Sequence, residues 1–252
     1  MKTDTWPADS SGREYLEIAG RLISRLASEE WRNVRAAAEL VGTAVAAGRT
    51  VHAFGTGHGH MLAEELFYRA GGLVRVRPIL FDGLMLHSSA PLSTALERLP
   101  GLAIALLDDH HVCEGDVLIV SSNSGGNAVT SELVQLAQGR GLHVVAITSV
   151  RHATSPLARS TEYPRIHELA EVVIDNGGEV GDAAVRVDGF ARAVAPTSTV
   201  VGAAILNAVI AEAVQIMVEN GVNPDVYESS NSAGGDAANA LLIEAASQKA
   251  TR

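Results

Sequence analysis

The chain has 252 residues and a formal net charge of −10 at pH 7; 47% of its residues are hydrophobic and 19% are charged. This composition is typical of globular proteins, and the length fits a single α/β domain spanning residues 1–252. The acidic balance argues against a nucleic-acid partner, because no strong basic cluster offsets it. The one cysteine, Cys113, rules out a disulfide within the chain.

The start of the chain and its apolar stretches bear on where the protein resides. No basic segment followed by an apolar one opens the chain, so we expect a cytoplasmic protein. Glycine and polar residues interrupt the apolar stretches before they reach about 18 residues, which predicts no membrane-spanning helix and no membrane partner.

Two amphipathic helices are predicted over residues 13–48. Apolar residues recur at helical spacing over residues 16–26 and again over 31–45, and Gly48 stands where a helix commonly ends. A helix pair ahead of the first strand has to cover either the sheet or a second subunit, and we expect some of both.

The first strand is predicted at residues 50–54, followed by a GTGHG turn at 55–59 and a helix over about 60–70. His60 stands where the dinucleotide fingerprint G-x-G-x-x-G has its third glycine. We therefore predict no nicotinamide, and we expect no other cofactor.

The central unit is a buried strand, a polar turn and a helix. Residues 117–120 form a continuous apolar run, as expected for a parallel strand covered on both faces. The turn at 121–127 supplies hydroxyls, amides and two glycines. Exposed N–H groups and the dipole of the following helix could hold a phosphate there without a lysine. The alternative is an ordinary loop with a Ser or Asn cap; we favour phosphate binding because so many donors share one turn.

A loop at residues 82–93 contains His87 and is of a kind that often lies over a site. An apolar helix is predicted at 96–109. Residues 108–113, at its end, include Asp, His and Cys side chains. Adjacent residues point in different directions around a helix end, so we interpret them as solvated and predict no metal site.

Three further strands, at residues 75–80, 142–148 and 172–175, bring the predicted total to five. With helices interleaved, this pattern indicates a doubly wound sheet. A hairpin outside the main sheet is predicted at 183–195, where Asp188-Gly189 is a turn signal.

The last part of the chain is predicted to contain a long apolar helix at residues 200–220. Residues 196–199, which include Ser198, precede it. The helix is too hydrophobic for a solvated position, which predicts a place in the core or in a dimer interface. A second glycine-rich loop at 227–236 is followed by a helix to about residue 247.

The polar turn at 122–127, SNSGGN, resembles the phosphate loop of sugar isomerase (SIS) domains, and the GTG at 55–57 fits the same family. Residues 55–73, 171–178 and 196–212 look like an uncharacterised group of SIS proteins often described as phosphosugar isomerases. The resemblance covers most of residues 51–212. It implies a flavodoxin-like, five-stranded parallel sheet with helices on both faces, a sugar phosphate as ligand, and a homodimer or larger oligomer.

Site residues are implied by the same resemblance. In SIS domains the side chains of the second turn bind the phosphate, which implies Ser122, Asn123, Ser124 and Asn127 here. The first turn is expected to open on the same edge of the sheet, which makes Gly55, Thr56, Gly57 and His58 candidate substrate contacts. His58 could polarise a substrate oxygen or merely turn the chain. In relatives that isomerise sugars or cleave a sugar ether, a glutamate on the helix after the first turn acts as the base. Its usual position falls near Tyr68 or Arg69, whereas this chain has Glu64 and Glu65 about one turn earlier.

Local chemistry gives a separate reason to consider that helix. His60 and Glu64 are i,i+4 neighbours, so an imidazole and a carboxylate would share one face near the first turn. Such a pair, with Glu64 or Glu65 as base, could move a proton between C1 and C2 of an aldose or ketose phosphate. The alternative is a surface glutamate and a histidine that only adjoins the helix start. His87 and Ser198 are further candidates.

Two function classes remain open on the sequence. The first is a phosphosugar isomerase or a related lyase; the second is a phosphosugar-binding protein without chemistry. A regulator of the second kind would be expected to carry a DNA-binding or output module, and the N-terminal helices do not resemble one. We therefore favour the enzyme.

Overall fold

The computed structural model describes residues 10–250, and the side chains of residues 10–245. Two helices precede the sheet, α1 (Ser11–Ser28) and α2 (Trp31–Ala46). The sheet strands are β1 (Val51–Phe54), β2 (Val76–Pro78), β3 (Val117–Ser121), β4 (His143–Thr148) and β5 (Val172–Asp175). The helices between them are α3 (Gly59–Glu65), α4 (Ala90–Leu96), α5 (Leu102–Asp109), α6 (Ala128–Gly139), α7 (Val150–Ala153) and α8 (Ile166–Leu169).

After the sheet come the antiparallel strands β6 (Ala183–Arg186) and β7 (Ala193–Pro196), then α9 (Ser198–Glu219) and α10 (Gly235–Ala250). The predicted hairpin is confirmed as a separate two-stranded unit. The main sheet is parallel throughout, with strand order β2-β1-β3-β4-β5. The predicted five-stranded, doubly wound sheet is therefore confirmed.

Helices cover both faces of the sheet because successive strand residues point to opposite sides. Val117 and Ile119 of β3 pack into a core formed with α2 and α9, whereas Leu118 and Val120 pack into a second core formed with α5 and α6. All five residues of β3 are buried. The continuous apolar run of this strand is thus explained by its central, doubly covered position.

The helix α9 is the longest apolar element. Its most hydrophobic 18-residue window has a mean hydropathy of 1.9, so by length and composition it could cross a membrane. Gly202, Asn207 and Glu212 interrupt its apolar residues as expected, but the mean hydropathy of the window is still high enough to pass this test. Half of the window is buried inside the protein, where α9 packs on α2, and a core helix passes the same test. The helix is therefore weak evidence for a membrane span.

Two predicted helices differ from the structure. The helix expected over residues 60–70 ends at Glu65; Tyr68, with a φ of +43°, is not helical, and the Gly71 N–H donates to the Tyr227 carbonyl. The helix expected over 96–109 begins only at Leu102, because Pro100 and the left-handed Gly101 separate it from α4, which ends at Leu96. The predicted loop before it contains a 3-10 turn, Asp82–Leu84, and most of α4.

Candidate functional site

The first turn, residues 55–59, packs against the end of β3. A Cβ on Gly55 would lie 2.6 Å from the backbone of Gly59, and a Cβ on Gly59 would lie 2.7 Å from the Ser121 carbonyl oxygen. These glycines allow a close approach that no other residue permits. They bring the turns after β1 and β3 together.

The second turn, residues 121–127, connects β3 to α6. Its Gly125 has φ +64°, and the Gly125 N–H donates to Ser122 Oγ at 3.1 Å. Asn127 caps α6, because its Oδ1 accepts a 2.8 Å hydrogen bond from the Thr130 N–H. The turn therefore presents small polar side chains at the start of a twelve-residue helix.

The carboxylate of Glu97, just after α4, holds the two turns together. Its Oε2 accepts a 2.8 Å hydrogen bond from Thr56 Oγ1 and a 3.2 Å hydrogen bond from Asn127 Nδ2. Asn127 Nδ2 also donates to Thr56 Oγ1 at 3.0 Å. Three side chains from three separate segments thus form one network.

Asn123 and Ser124 are held from the far side of the sheet. Asn123 Oδ1 accepts a 2.9 Å hydrogen bond from Nδ2 of Asn176, which follows β5. The Ser124 carbonyl accepts a 2.6 Å hydrogen bond from Arg165 Nη1. These contacts hold the Asn123 side chain and the Ser124 backbone in place.

The base of the β6–β7 hairpin meets the start of α9. Asp182, whose φ of +70° is unusual for a residue other than glycine, accepts hydrogen bonds from the N–H groups of Thr197 and Ser198. It also accepts one from the Ser198 hydroxyl. Asp182 therefore neutralises the positive end of α9 at the edge of the site.

His152, on α7, faces the same space. Burial, followed by the positive charge of Arg165, lowers the pKa of His152 below its usual value of 6.5, while Asp182 partly offsets this. Its Nδ1 accepts a 3.2 Å hydrogen bond from the Gly181 N–H. The imidazole is therefore neutral near pH 7, with its proton on Nε2, where it can donate to a ligand.

These groups surround a cleft of about 290 Å³ at the carboxyl ends of β1 and β3. The two strands are neighbours, whereas β2 lies on the other side of β1, so the cleft occupies the switch point of the sheet. Of the described residues that line it, none is a lysine or an arginine. They are Thr56, His58, Gly59, Leu62, Glu97, Ser121, Ser122, Asn123, Ser124, Asn127, Ile147, His152, Asn176, Gly181, Asp182, Ser198 and Thr199.

Comparison of the sequence with models of protein families identifies the family of this chain. A family model described as "SIS domain" matches residues 14–149, more than half of the chain. The chain belongs to the SIS-domain family. The resemblance that the two turns carried in the sequence is confirmed.

Relatives of this SIS domain align over nearly its full length. A UPF0309 protein of Listeria monocytogenes is 39% identical over 230 residues, which cover 91% of this chain and 93% of the relative. A UPF0309 protein of Geobacillus thermodenitrificans is 40% identical over 231 residues, which cover 92% and 93%. These names assign no reaction.

Solved structures share the fold of this SIS domain. A phosphoheptose isomerase from Francisella tularensis matches with a TM-score of 0.53 and 14% identity, over 81% of this chain and 96% of that one. A phosphoheptose isomerase from Neisseria gonorrhoeae matches with a TM-score of 0.50 and 16% identity, over 82% and 97%. At these low sequence identities, the structural similarity shows the fold alone.

Most residues expected in the substrate site of the SIS domain line the cleft. Gly55 and Gly57 build the first turn without lining the cleft, and His87 lies exposed outside it. The expected residues that do line it are Thr56, His58, Ser122, Asn123, Ser124, Asn127 and Ser198.

The three expected catalytic residues on α3 do not line the cleft of their own chain. His60 is buried, neither ring nitrogen has a hydrogen-bond partner among the described residues, and burial lowers its pKa to about 4. Glu64 is exposed whereas His60 is buried, so the two side chains lie in different environments and neither lines the cleft. Glu65 bonds to Arg69 and, at 2.8 Å, to Asn207. Any role of Glu64 in chemistry therefore needs a ligand that lies outside its own cleft.

Glu97, His152, Asn176 and Asp182 line the cleft and were not identified from the sequence. Their contacts join segments far apart in the chain, and no local motif marks them.

The predicted absence of a metal cluster concerned residues 108–113. There Asp108 pairs with Arg140 at 2.7 Å, and the His110 ring is hydrogen-bonded to the Leu106 carbonyl. Among the described residues, no group of three His, Cys, Asp or Glu side chains is placed to hold a metal ion.

Proposed function

We propose that this SIS domain binds a sugar phosphate in the cytoplasm and holds its phosphate group in the second turn. The observation that carries the proposal is the convergence of Ser122, Asn123, Ser124 and Asn127 on one cleft at the switch point of the sheet. Hydroxyls, amides and the start of α6 can bind an anion by charge-assisted hydrogen bonds without a lysine. Proteins of the same fold are described as phosphoheptose isomerases, which supports this ligand class.

We further propose an aldose–ketose isomerisation, or a lyase reaction that begins with the same abstraction of a proton from carbon. Either reaction needs a base and a group that exchanges protons with the substrate oxygens. His152, with a proton on Nε2, and His58 at the first turn are positioned for the second task.

The proposed base is Glu64, supplied by a second copy of the chain, with Glu65 and His60 on the same helix as the other candidates. Among the described residues the carboxylate of Glu64 has no hydrogen-bond or ion-pair partner, whereas that of Glu65 is already paired. Glu97 lines the cleft, but its Oε2 accepts hydrogen bonds from Thr56 and Asn127. These hydrogen bonds already engage the carboxylate oxygen in holding the two turns together. We therefore assign Glu97 to positioning the turns.

Binding without chemistry is the second candidate function. It is favoured by one observation: no carboxylate of α3 lines the cleft of its own chain. A protein of this kind would need only the phosphate turn and a sugar pocket.

The test of phosphate binding compares sugar phosphates with the same sugars lacking phosphate, by calorimetry and by thermal shift over hexose, heptose and amino-sugar phosphates. We expect Ser122→Ala/Ser124→Ala to weaken the phosphorylated sugars by about tenfold or more and to leave the free sugars nearly unchanged. Ser24→Ala/Ser28→Ala on the exposed face of α1 is the matched control. Equal losses for both kinds of ligand would contradict the proposal.

A further inference from the structure

A second cavity, of about 680 Å³, adjoins the cleft on the side of α8. The linings of both cavities include Glu97, Ser124, Asn127 and His152. The phosphate turn therefore lies between the two cavities and borders both. The cleft alone has a volume near the lower end of the range for ligand sites, whereas the second cavity is more than twice as large. A ligand that extends past the phosphate turn therefore has space to occupy.

Arginines distinguish the second cavity from the cleft. Arg98, Arg159 and Arg165 line it, together with the hydroxyl residues Ser160, Thr161 and Tyr163; Glu97 and Glu162 are its acidic residues. The cleft has no arginine or lysine among the described residues of its lining. The excess positive charge is notable in a chain whose net charge is −10.

The guanidinium groups of two of these arginines are unpaired among the described residues. Among the described residues, the side chains of Arg98 and Arg159 form no ion pair and no hydrogen bond, whereas six other arginines are paired with carboxylates. Those are Arg13, Arg25, Arg35, Arg69, Arg140 and Arg151. Acidic partners are plentiful in this chain, with 29 Asp and Glu residues. Elsewhere in the part of the chain that the structure describes, Arg21, Arg32, Arg49, Arg186 and Arg192 also lack such partners, but Arg98 and Arg159 lie together at the wall of one cavity, where a ligand can reach them.

The wall of this cavity is fixed to the phosphate turn. Arg165 donates from Nη1 to the Ser124 carbonyl at 2.6 Å and from Nη2 to the Arg159 carbonyl at 3.0 Å. A Cβ on Gly126 would lie 2.9 Å from Arg165 Nη1 and 3.0 Å from the Thr161 methyl group, so glycine allows this close packing. The segment that carries Arg159 is thus held beside the turn that we propose binds phosphate.

We infer that the substrate is a sugar phosphate with a second anionic group, a carboxylate or another phosphate, which Arg98 and Arg159 bind in the second cavity. The inference rests on the proposed function, because the first phosphate is the anchor. A planar guanidinium binds either anion through paired hydrogen bonds, and a neutral sugar would leave both arginines without a counter-charge. The second anion would thus select among sugar phosphates that the phosphate turn alone cannot distinguish.

Two matched ligand pairs test this inference by calorimetry. Fructose 6-phosphate is compared with fructose 1,6-bisphosphate, and glucose 6-phosphate with 6-phosphogluconate, so that a second phosphate and a carboxylate are each examined. We expect the doubly anionic member of at least one pair to bind about tenfold more tightly or better. In Arg98→Gln/Arg159→Gln that preference should fall to about threefold or less, with little change for the singly anionic member.

The control is Arg49→Gln, which removes an exposed arginine just before β1, at the opposite edge of the sheet. It should leave both affinities unchanged. Equal affinities within both pairs, or a preference that survives the double arginine substitution, would overturn the inference. Failure of the proposed function is recognised differently, because binding of all four ligands would then be insensitive to Ser122→Ala/Ser124→Ala.

Discussion

Thr56 Oγ1 lies 2.8 Å from Glu97 Oε2, and this hydrogen bond joins the turn after β1 to the end of α4. Asn127 Nδ2 donates to the same carboxylate oxygen, so one glutamate positions both turns of the cleft. The network sets the distance between the proposed phosphate site and the first turn. Substitutions at Asn127 can separate its role in folding from its role in binding.

We expect Asn127→Asp to retain stability but lose affinity. Asp remains a good helix cap, so the free energy of unfolding should stay within about 1 kcal/mol of wild type. Its carboxylate cannot donate to Glu97 and repels both that residue and a phosphate, so sugar phosphate affinity should fall about tenfold or more. Urea unfolding and calorimetry measure the two effects.

Asn127→Ser and Asn127→Ala are the matched controls. Ser keeps the cap without adding charge, whereas Ala loses the cap at a cost of about 0.5–2 kcal/mol. If Asn127→Asp and Asn127→Ser bind a sugar phosphate equally well, no phosphate lies near this position.

The opposite edge of the sheet holds a buried pair that should control stability alone. His52 Nε2 lies 3.1 Å from Asp116 Oδ2, and Asp116 also accepts hydrogen bonds from the N–H groups of Thr50 and Cys113. Burial by itself raises the pKa of Asp116, but these hydrogen bonds outweigh it and hold the pKa below its usual 3.8. Asp116→Asn should cost about 1–3 kcal/mol at pH 7, because one buried donor loses its acceptor.

The pH dependence follows from the direction of that shift. Because the folded-state pKa of Asp116 is lowered, its contribution is complete above the unfolded-state value and is lost as the pH falls through the folded-state value. The difference in unfolding free energy between wild type and Asp116→Asn should therefore shrink from pH 7 to pH 3. A difference that stays constant, or a loss of ligand affinity at pH 7, would count against this account.

Local patterns predicted the framework of the site, and long-range contacts determined the rest. The second turn was predictable because an apolar strand, small polar residues and a helix follow one another in the chain. Glu97 was not, since its partners Thr56 and Asn127 are 41 and 30 residues away. The placement of the α3 side chains was also unpredictable, because tertiary packing decides that His60 is buried and Glu64 exposed.

Exposed apolar side chains on the outer face of α3 and α9 lead us to predict a homodimer or larger oligomer. Met61 on α3 and Val200 on α9 are 51% and 38% exposed, on two helices that pack against each other at the rim of the cleft. Covering such a face in a symmetric dimer would also bring Glu64, one turn after Met61, towards the partner. We expect a mass of at least two chains by light scattering at micromolar concentration.

Met61→Glu/Val200→Glu should reduce that mass to one chain, because a charge on each apolar position opposes burial. Leu241→Glu replaces an exposed apolar residue on α10, away from α3 and α9 in the chain; it is the matched control and should not change the mass. A monomeric wild type, or a dimer that the double substitution leaves intact, would contradict this interface.

The last prediction concerns catalysis by Glu64 across the subunit boundary. If Glu64 acts as the base on a sugar phosphate held by the partner, Glu64→Gln should bind the ligand normally but lose exchange of solvent deuterium into the sugar by about a hundredfold or more. Glu65→Gln and His60→Ala should exchange at nearly the wild-type rate, because Glu65 is paired with Arg69 and His60 is a buried, weakly basic imidazole. Mass spectrometry of the recovered sugar phosphate, with chelator present, measures the exchange.

Mixing two inactive variants distinguishes catalysis across the boundary from catalysis within one chain. In hybrid dimers of Glu64→Gln with Ser122→Ala/Ser124→Ala, one site has both the intact phosphate turn and an intact Glu64 from the other chain. A random mixture of two-chain assemblies should thus regain about a quarter of the wild-type exchange. Within a single chain no intact site could form, and the mixture would stay inactive. If Glu97→Gln rather than Glu64→Gln abolishes exchange, the base lies in the cleft itself; if wild type exchanges no sugar of the panel, the binding-only function is favoured.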